Sequence, residues 1–208
     1  MQTYEQRLDQ SLNWALLEGS MHFEQKSAVH RTLAKITQRL EALGVPYAVA
    51  GGMALFAHGF RRFTEDVDIL VTREGLEIIH RHLEGLGYVP PFAGSKNLRD
   101  AEYGVRIEFL VAGDYPGDGK PKPIAFPDPA LANVEMEGIH YLRPSTLIEL
   151  KLASGMTNPL RLQDIVDVQR LIELLHLPAE LSAQLNPFVR DKYMELWSLV
   201  HNNPPQPE

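Results

Sequence analysis

Asp66 and Asp68 are the residues of this chain best placed to do chemistry. They sit in Thr64-Glu65-Asp66-Val67-Asp68-Ile69-Leu70-Val71, which reads as a strand. In extended backbone, side chains i and i+2 share a face. Both carboxylates therefore point one way, while Val67 and Ile69 point into a core and Glu65, out of phase, belongs on the surface. Two neighbouring carboxylates on an apolar strand repel each other and lose hydration. A divalent cation resolves both problems, and all-oxygen ligands of this kind suit magnesium. Upstream, Gly51 and Gly52 follow the apolar run 47–50. Glycines there let backbone N–H groups approach a phosphate. The same pair also reads as a plain strand-to-helix turn, since glycine tolerates positive φ. A phosphate cradle beside a two-carboxylate metal site suits phosphoryl or nucleotidyl transfer.

The run Gly51-Gly52, a short helix, then Arg62-x-Thr64-x-Asp66-Val67-Asp68 resembles the nucleotidyltransferase fold superfamily, the polymerase-beta-like enzymes. Within it the run is most similar to the AbiEii-like nucleotidyltransferases of bacteria, many of them toxins of toxin–antitoxin or phage-defence pairs. The resemblance spans residues 45–175. It implies a third metal-binding carboxylate on a neighbouring strand, best matched by Glu108 in Val105-Arg106-Ile107-Glu108-Phe109-Leu110-Val111. It also implies a downstream lysine, matched by Lys151, and an acidic helix, matched by Arg161-x-x-Asp164-x-x-Asp167-Val168. Two positions depart from the family pattern. Many members have Gly-Ser where this chain has Gly51-Gly52, and Asp where it has Glu108.

On that resemblance Asp66, Asp68 and Glu108 are the expected metal ligands, for two magnesium ions, and with Lys151 the expected catalytic residues. Gly51, Gly52, Arg62, Thr64 and Asp164 are the expected nucleotide-binding residues. The implied reaction moves a nucleoside monophosphate from an NTP to an acceptor hydroxyl, as a transferase. The implied acceptor is RNA, tRNA or a protein, with a cognate antitoxin as a further partner. The alternatives are a small-molecule acceptor of the aminoglycoside kind, and a non-catalytic module that binds a nucleotide or a partner.

Each candidate has a plainer reading. Glu108 can pair with Arg106, which shares its strand face. Arg62 can pair with a core acid, and Thr64 can hydrogen-bond within its turn. Lys151 can snorkel to solvent along an apolar helix. Asp164 and Asp167, three apart on one helix face, can order Lys151 or Arg161. His58, just before Gly59, reads as a helix cap.

The 208 residues suffice for one sizeable domain, or a domain with a helical annex. There is no cysteine, which excludes disulfides and thiolate metal sites. No basic segment followed by an apolar run opens the chain, and no run reaches membrane-spanning length. A cytoplasmic location is the expectation. The formal net charge of −7 is not the footprint of a nucleic-acid-binding protein. RNA contact would need a local patch, with Arg61, Arg62, Arg73, Lys96, Arg99, Arg106, Lys120 and Lys122 as candidates; the alternative is solvated surface charge.

The elements that must position these groups follow from periodicity. Helices are expected over 3–17 and 24–43, the second ended by Gly44 and Pro46. Then come a strand at 47–50, a helix at 53–58, a strand at 66–72 and a helix at 74–86. Residues 88–100 read as irregular, 105–111 as a strand and 113–129 as a long exposed loop. One or two strands turn at Gly138 within 133–142. A helix starts at Pro144, where Thr146 and Glu149 have capping-box spacing. Further helices cover 162–175 and 180–200, and the polar tail 201–208 is expected to fray. The fold class is α/β (α+β): a small mixed sheet packed by helices, with a helical C-terminal part. The expected division is N-terminal helices 1–44, a core 45–143 and helices 144–208.

Overall fold

The computed structural model describes residues 2–202. Three N-terminal helices, α1 (Tyr4–Gln10), α2 (Leu12–Phe23) and α3 (Ala28–Leu43), lead into β1 (Tyr47–Val49). Next come α4 (Gly51–Ala57), β2 (Asp66–Val71), α5 (Arg73–Leu83), β3 (Tyr88–Val89), β4 (Leu98–Asp100) and β5 (Arg106–Val111). A short α6 (Pro129–Ala132) precedes the hairpin β6 (Asn133–Met136) and β7 (Ile139–Leu142). The chain ends in α7 (Pro144–Thr157), α8 (Leu162–Leu174) and α9 (Pro187–Asn202).

The strands form one seven-stranded mixed sheet in the order β3-β4-β5-β2-β1-β7-β6. The acid-bearing strand β2 lies at its centre, antiparallel to β1 and parallel to β5. Central placement explains the sequence of β2. Val67, Ile69, Leu70 and Val71 are fully buried, so the run is apolar except where Asp66 and Asp68 open onto a cleft. Residues from α1 through α9, Tyr4 to Leu196, join one buried cluster around this sheet.

Most expected elements appear, with differences that have local causes. The helix expected over 3–17 is two helices, because Ser11 turns extended and its side chain caps α2 through Trp14 N–H. α3 begins at Ala28, capped by Ser27, and ends at Gly44 with φ 64°. The segment read as irregular holds β3 and β4, two and three residues long, too short to show alternation. The helix expected at 180–200 is a 3₁₀ turn at Ala179–Gln184 followed by α9. Pro187 starts α9, and the Asn186 side chain accepts from Phe188 N–H, a pairing of cap and proline that breaks the preceding turn. The expected capping box at Thr146 is absent: Pro144 opens α7, and Glu149 instead accepts from Asn186 N–H. The tail expected to fray is helical through Asn202, and its remainder lies outside the described residues.

The long loop after β5 is not simply exposed. Gly113 and Phe126 pair through Gly113 N–H, and Phe126 N–H donates to the Asp114 carbonyl. Ile124 and Pro116 are buried. Gly117 packs on α7: a Cβ there would meet the Ser154 carbonyl oxygen at 2.8 Å. No described helix is long and apolar enough to cross a membrane.

Candidate active site

Register brings the three expected metal ligands together. In the parallel β2–β5 pair, Asp68 lies opposite Glu108 and Asp66 opposite Arg106. The pleat turns all four side chains to one face, while Val67, Ile69, Ile107 and Phe109 are buried on the other. Asp66, Asp68 and Glu108 each offer a carboxylate oxygen, and these lie within 4.8 Å of one another. That spacing suits one small cation bridging all three after modest rotamer changes.

The electrostatics of this face are strained. The Asp68 carboxyl is pushed up to about 7, first by burial and then by Asp66 and Glu108. Arg106 relieves part of the repulsion, with Nη2 2.7 Å from Asp66 Oδ2 and 3.5 Å from Glu108 Oε2. Thr64 donates its hydroxyl to Asp66 Oδ1 at 2.9 Å, which is the turn-level reading of Thr64. Glu108 thus faces the other two acids and also meets Arg106.

The glycine pair stands directly against this cluster. Gly51 has φ 56°, a conformation that side-chain-bearing residues adopt at a cost. A Cβ on Gly51 would lie 1.7 Å from Asp68 Oδ2, so only glycine fits there. A Cβ on Gly52 would meet Thr64 at 2.7 Å. α4 starts here with Ala50 at its N-cap and no side-chain cap. Its first N–H groups are therefore left to a ligand or water, as at any uncapped helix start.

Facing the sheet, α7 and α8 carry a second set of charges. Lys151 does not snorkel. It is buried, and its Nζ donates to Asp164 Oδ1 at 2.8 Å and Asp167 Oδ2 at 2.7 Å. Asp167 is fully buried and also meets Arg62, with Nη2 3.1 Å from Oδ2 and Nε 3.1 Å from Oδ1. Gln163 donates to its Oδ1 at 2.9 Å. Burial pushes the Asp167 carboxyl up, but Lys151, Gln163 and Arg62 outweigh it and hold it below the usual range. Arg161, the other partner considered for these acids, lines the cleft instead. His22 is buried, its Nε2 3.1 Å from the Arg62 carbonyl oxygen. His58 is indeed the C-cap residue of α4, and its ring reaches across to the Leu142 carbonyl at 2.7 Å.

Between these two charged walls lies a cleft of about 560 Å³. Gly51, Gly52, Arg62, Thr64, Asp66, Asp68, Glu108, Lys151 and Asp164 all line it. Every expected site residue is thus on one cavity. Sequence reasoning missed Glu5 from α1, Pro116 and Phe126 from the β5–α6 loop, and Ser154, which line it too. Nothing in their local sequence marks them; they arrive through long-range packing.

The fold of the chain is similar to that of solved structures. Antibiotic-resistance factor ANT(2'')-Ia in solution superposes with a TM-score of 0.53 at 17% identity, over 82% of this chain and 95% of its own. The fold is that of the nucleotidyltransferases. The crystal structure of ANT(2'')-Ia with adenylyl-2''-tobramycin gives 0.47 at 12% identity, over 82% and 97%. An antigenic nucleotidyltransferase-like protein from Paracoccidioides brasiliensis gives 0.45 at 16%, over 83% and 96%. No family model and no curated protein matches the chain. The likeness is one of fold, with the acid triad on the strands that the fold brings together.

Of the basic candidates for RNA contact, most are already spent. Arg62, Arg73, Arg99, Arg106 and Lys122 pair with Asp167, Asp114, Glu5, Asp66 and Asp118 respectively. Arg61 stands over the Phe56 ring.

Proposed function

We propose that this chain is a metal-dependent nucleotidyltransferase that moves a nucleoside monophosphate from an NTP to an acceptor hydroxyl. One observation carries the reading: three carboxylates converge on one face of the central strands, beside an uncapped glycine turn, in a cleft large enough for a nucleotide. Asp66, Asp68 and Glu108 would hold the divalent ions, with magnesium the ion best suited to an all-oxygen set. When bound, such ions lower the pKa of the acceptor hydroxyl and neutralise charge on the leaving pyrophosphate.

The chain's own groups do the positioning. Gly51 keeps the backbone against Asp68, so that a triphosphate at the start of α4 lies beside the acids. Lys151 spends two of its three ammonium donors on Asp164 and Asp167, which leaves one for a phosphate in the cleft. Arg62 and Asp164 act through that network, holding Lys151 at the wall of the cleft. Thr64 fixes the rotamer of Asp66. Holding reactants in line in this way can supply much of the rate.

For the acceptor, the cleft favours a cationic small molecule over RNA. Its lining has six carboxylates, from Glu5, Glu65, Asp66, Asp68, Glu108 and Asp164. Only four cations, Arg62, Arg106, Lys151 and Arg161, stand against them. The paired state of Arg62, Arg73, Arg99 and Lys122 points the same way. RNA, tRNA or a protein hydroxyl, as in a toxin with a cognate antitoxin, is the rival acceptor class.

The test is transfer of label from each NTP, with magnesium, to bulk RNA and to a panel of polyamine-bearing hydroxyl compounds. Asp68→Asn should lower transfer by about 10²–10³-fold, the loss seen when a preorganised electrostatic group is removed. Undiminished transfer by this variant would overturn the assignment. Labelled RNA with unlabelled small acceptors would reverse the preference between acceptors.

A further inference from the structure

Arg106 sits among the carboxylates that are proposed to hold metal. It lies opposite Asp66 across the parallel pair and one pleat away from Glu108 on its own strand. Its Nη2 is 2.7 Å from Asp66 Oδ2 and 3.5 Å from Glu108 Oε2. The other oxygen of Asp66 is taken by Thr64. Among the described residues, Arg106 is the only cation bonded to any of the three acids. A guanidinium is always charged. It therefore competes with any divalent ion for the oxygens of Asp66 and Glu108, and the two cations repel at that separation.

We infer that Arg106 is a resident counter-cation of the triad, displaced when a divalent ion enters. This rests on the metal-site reading above. The arginine offsets the like charges of Asp66 and Glu108 on adjacent strands in a folded, metal-free protein. Its side chain is 42% exposed and already lines the cleft, so it can leave the acids without disturbing the core. Once released it stays beside the space a triphosphate would fill, and planar guanidinium suits phosphate oxygens. Metal entry and nucleotide capture are then linked: the ion frees the arginine, and phosphates hold it in its new place. By reciprocity, nucleotide must tighten metal binding by the same factor.

The experiment is calorimetric titration of the full chain with Mn²⁺ alone, for wild type, Arg106→Gln and Arg106→Lys. If the triad is free of Arg106 for only a tenth of the time, the apparent affinity is lowered about tenfold, and Arg106→Gln should restore it. Arg106→Lys, a less pre-organised cation, should tighten Mn²⁺ binding by less; it also serves should the glutamine variant not fold. In EDTA, Arg106→Gln should melt below wild type, and saturating Mn²⁺ should close that gap. Unchanged or weaker Mn²⁺ binding in both variants would make Arg106 a fixed support and overturn the inference alone. If neither wild type nor variants bind Mn²⁺, the metal reading fails, and this inference with it.

Discussion

Two groups of carboxylates face one another across the cleft, and the fold treats them in opposite ways. On β2 and β5, Asp66 and Glu108 share a single arginine, and the Asp68 carboxyl is driven upward by burial and by its acidic neighbours. On α8, Asp164 and Asp167 are matched by Lys151 and Arg62, and the Asp167 carboxyl is held down despite burial. All five are carboxylates, and four of them, Asp66, Asp68, Glu108 and Asp164, line one cavity, while Asp167 is fully buried. What differs is whether the charge is balanced within the chain. Acids balanced by Lys151 and Arg62 hold two helices and the β2 lead-in together. Acids in excess are high in energy until a cation arrives, which is what the proposed metal site would draw on.

The contrast is sharpest in stability. Asp167→Ala would leave Lys151 and Arg62 without their shared buried partner. It should cost about 3–5 kcal/mol in denaturant unfolding, the usual penalty for breaking one side of a buried pair. Asp68→Asn, in EDTA near neutral pH, should be neutral or stabilising. Equal losses for the two variants would break the comparison.

Acidity should separate them next. Folded Asp68 binds its proton more tightly than in the unfolded chain, at about 7 against 3.8. Its contribution is complete below 3.8 and is lost as pH rises through about 7. The folded Asp167 carboxyl is depressed, so its contribution is present above the ordinary aspartate value and is lost as pH falls through the depressed one. In EDTA, unfolding free energy should therefore carry a downward component between pH 3.8 and about 7, and Asp68→Asn should remove it. An identical pH profile for variant and wild type would deny Asp68 its strained state.

The smallest effect is expected at Thr64, which touches the unbalanced group only through Asp66. Thr64→Val removes one hydrogen bond, worth about 0.5–1.5 kcal/mol. Its mark should be a weaker hold on Mn²⁺, a few-fold in titration, with a loss of stability no larger than that one hydrogen bond. A drop in stability like that of Asp167→Ala would mean that the Thr64–Asp66 contact supports the fold rather than the site.

Much of this was legible in the sequence, for a physical reason. Strand pleat and glycine torsion are local properties. Asp66 and Asp68 had to share a face once residues 66–71 were extended. Gly51 could take positive φ where the chain needed it, and Gly44 could end α3. Short elements escaped notice because two- and three-residue strands such as β3 and β4 carry no periodicity. Ser11 and Asn186 stopped helices whose apolar spacing ran on past them.

The sequence by itself therefore determined the central acid-bearing strand, the glycine turn before it and the order of elements around them. Only the tertiary structure decided which charges cancel. Arg106 had Glu108 as its near neighbour in sequence, yet its shorter contact is with Asp66 on another strand. Lys151 had solvent as an option, yet α7 packs on α8 and buries it between two carboxylates. Coulomb energy depends on distance and on surrounding dielectric, and neither is written in the spacing of residues along a chain.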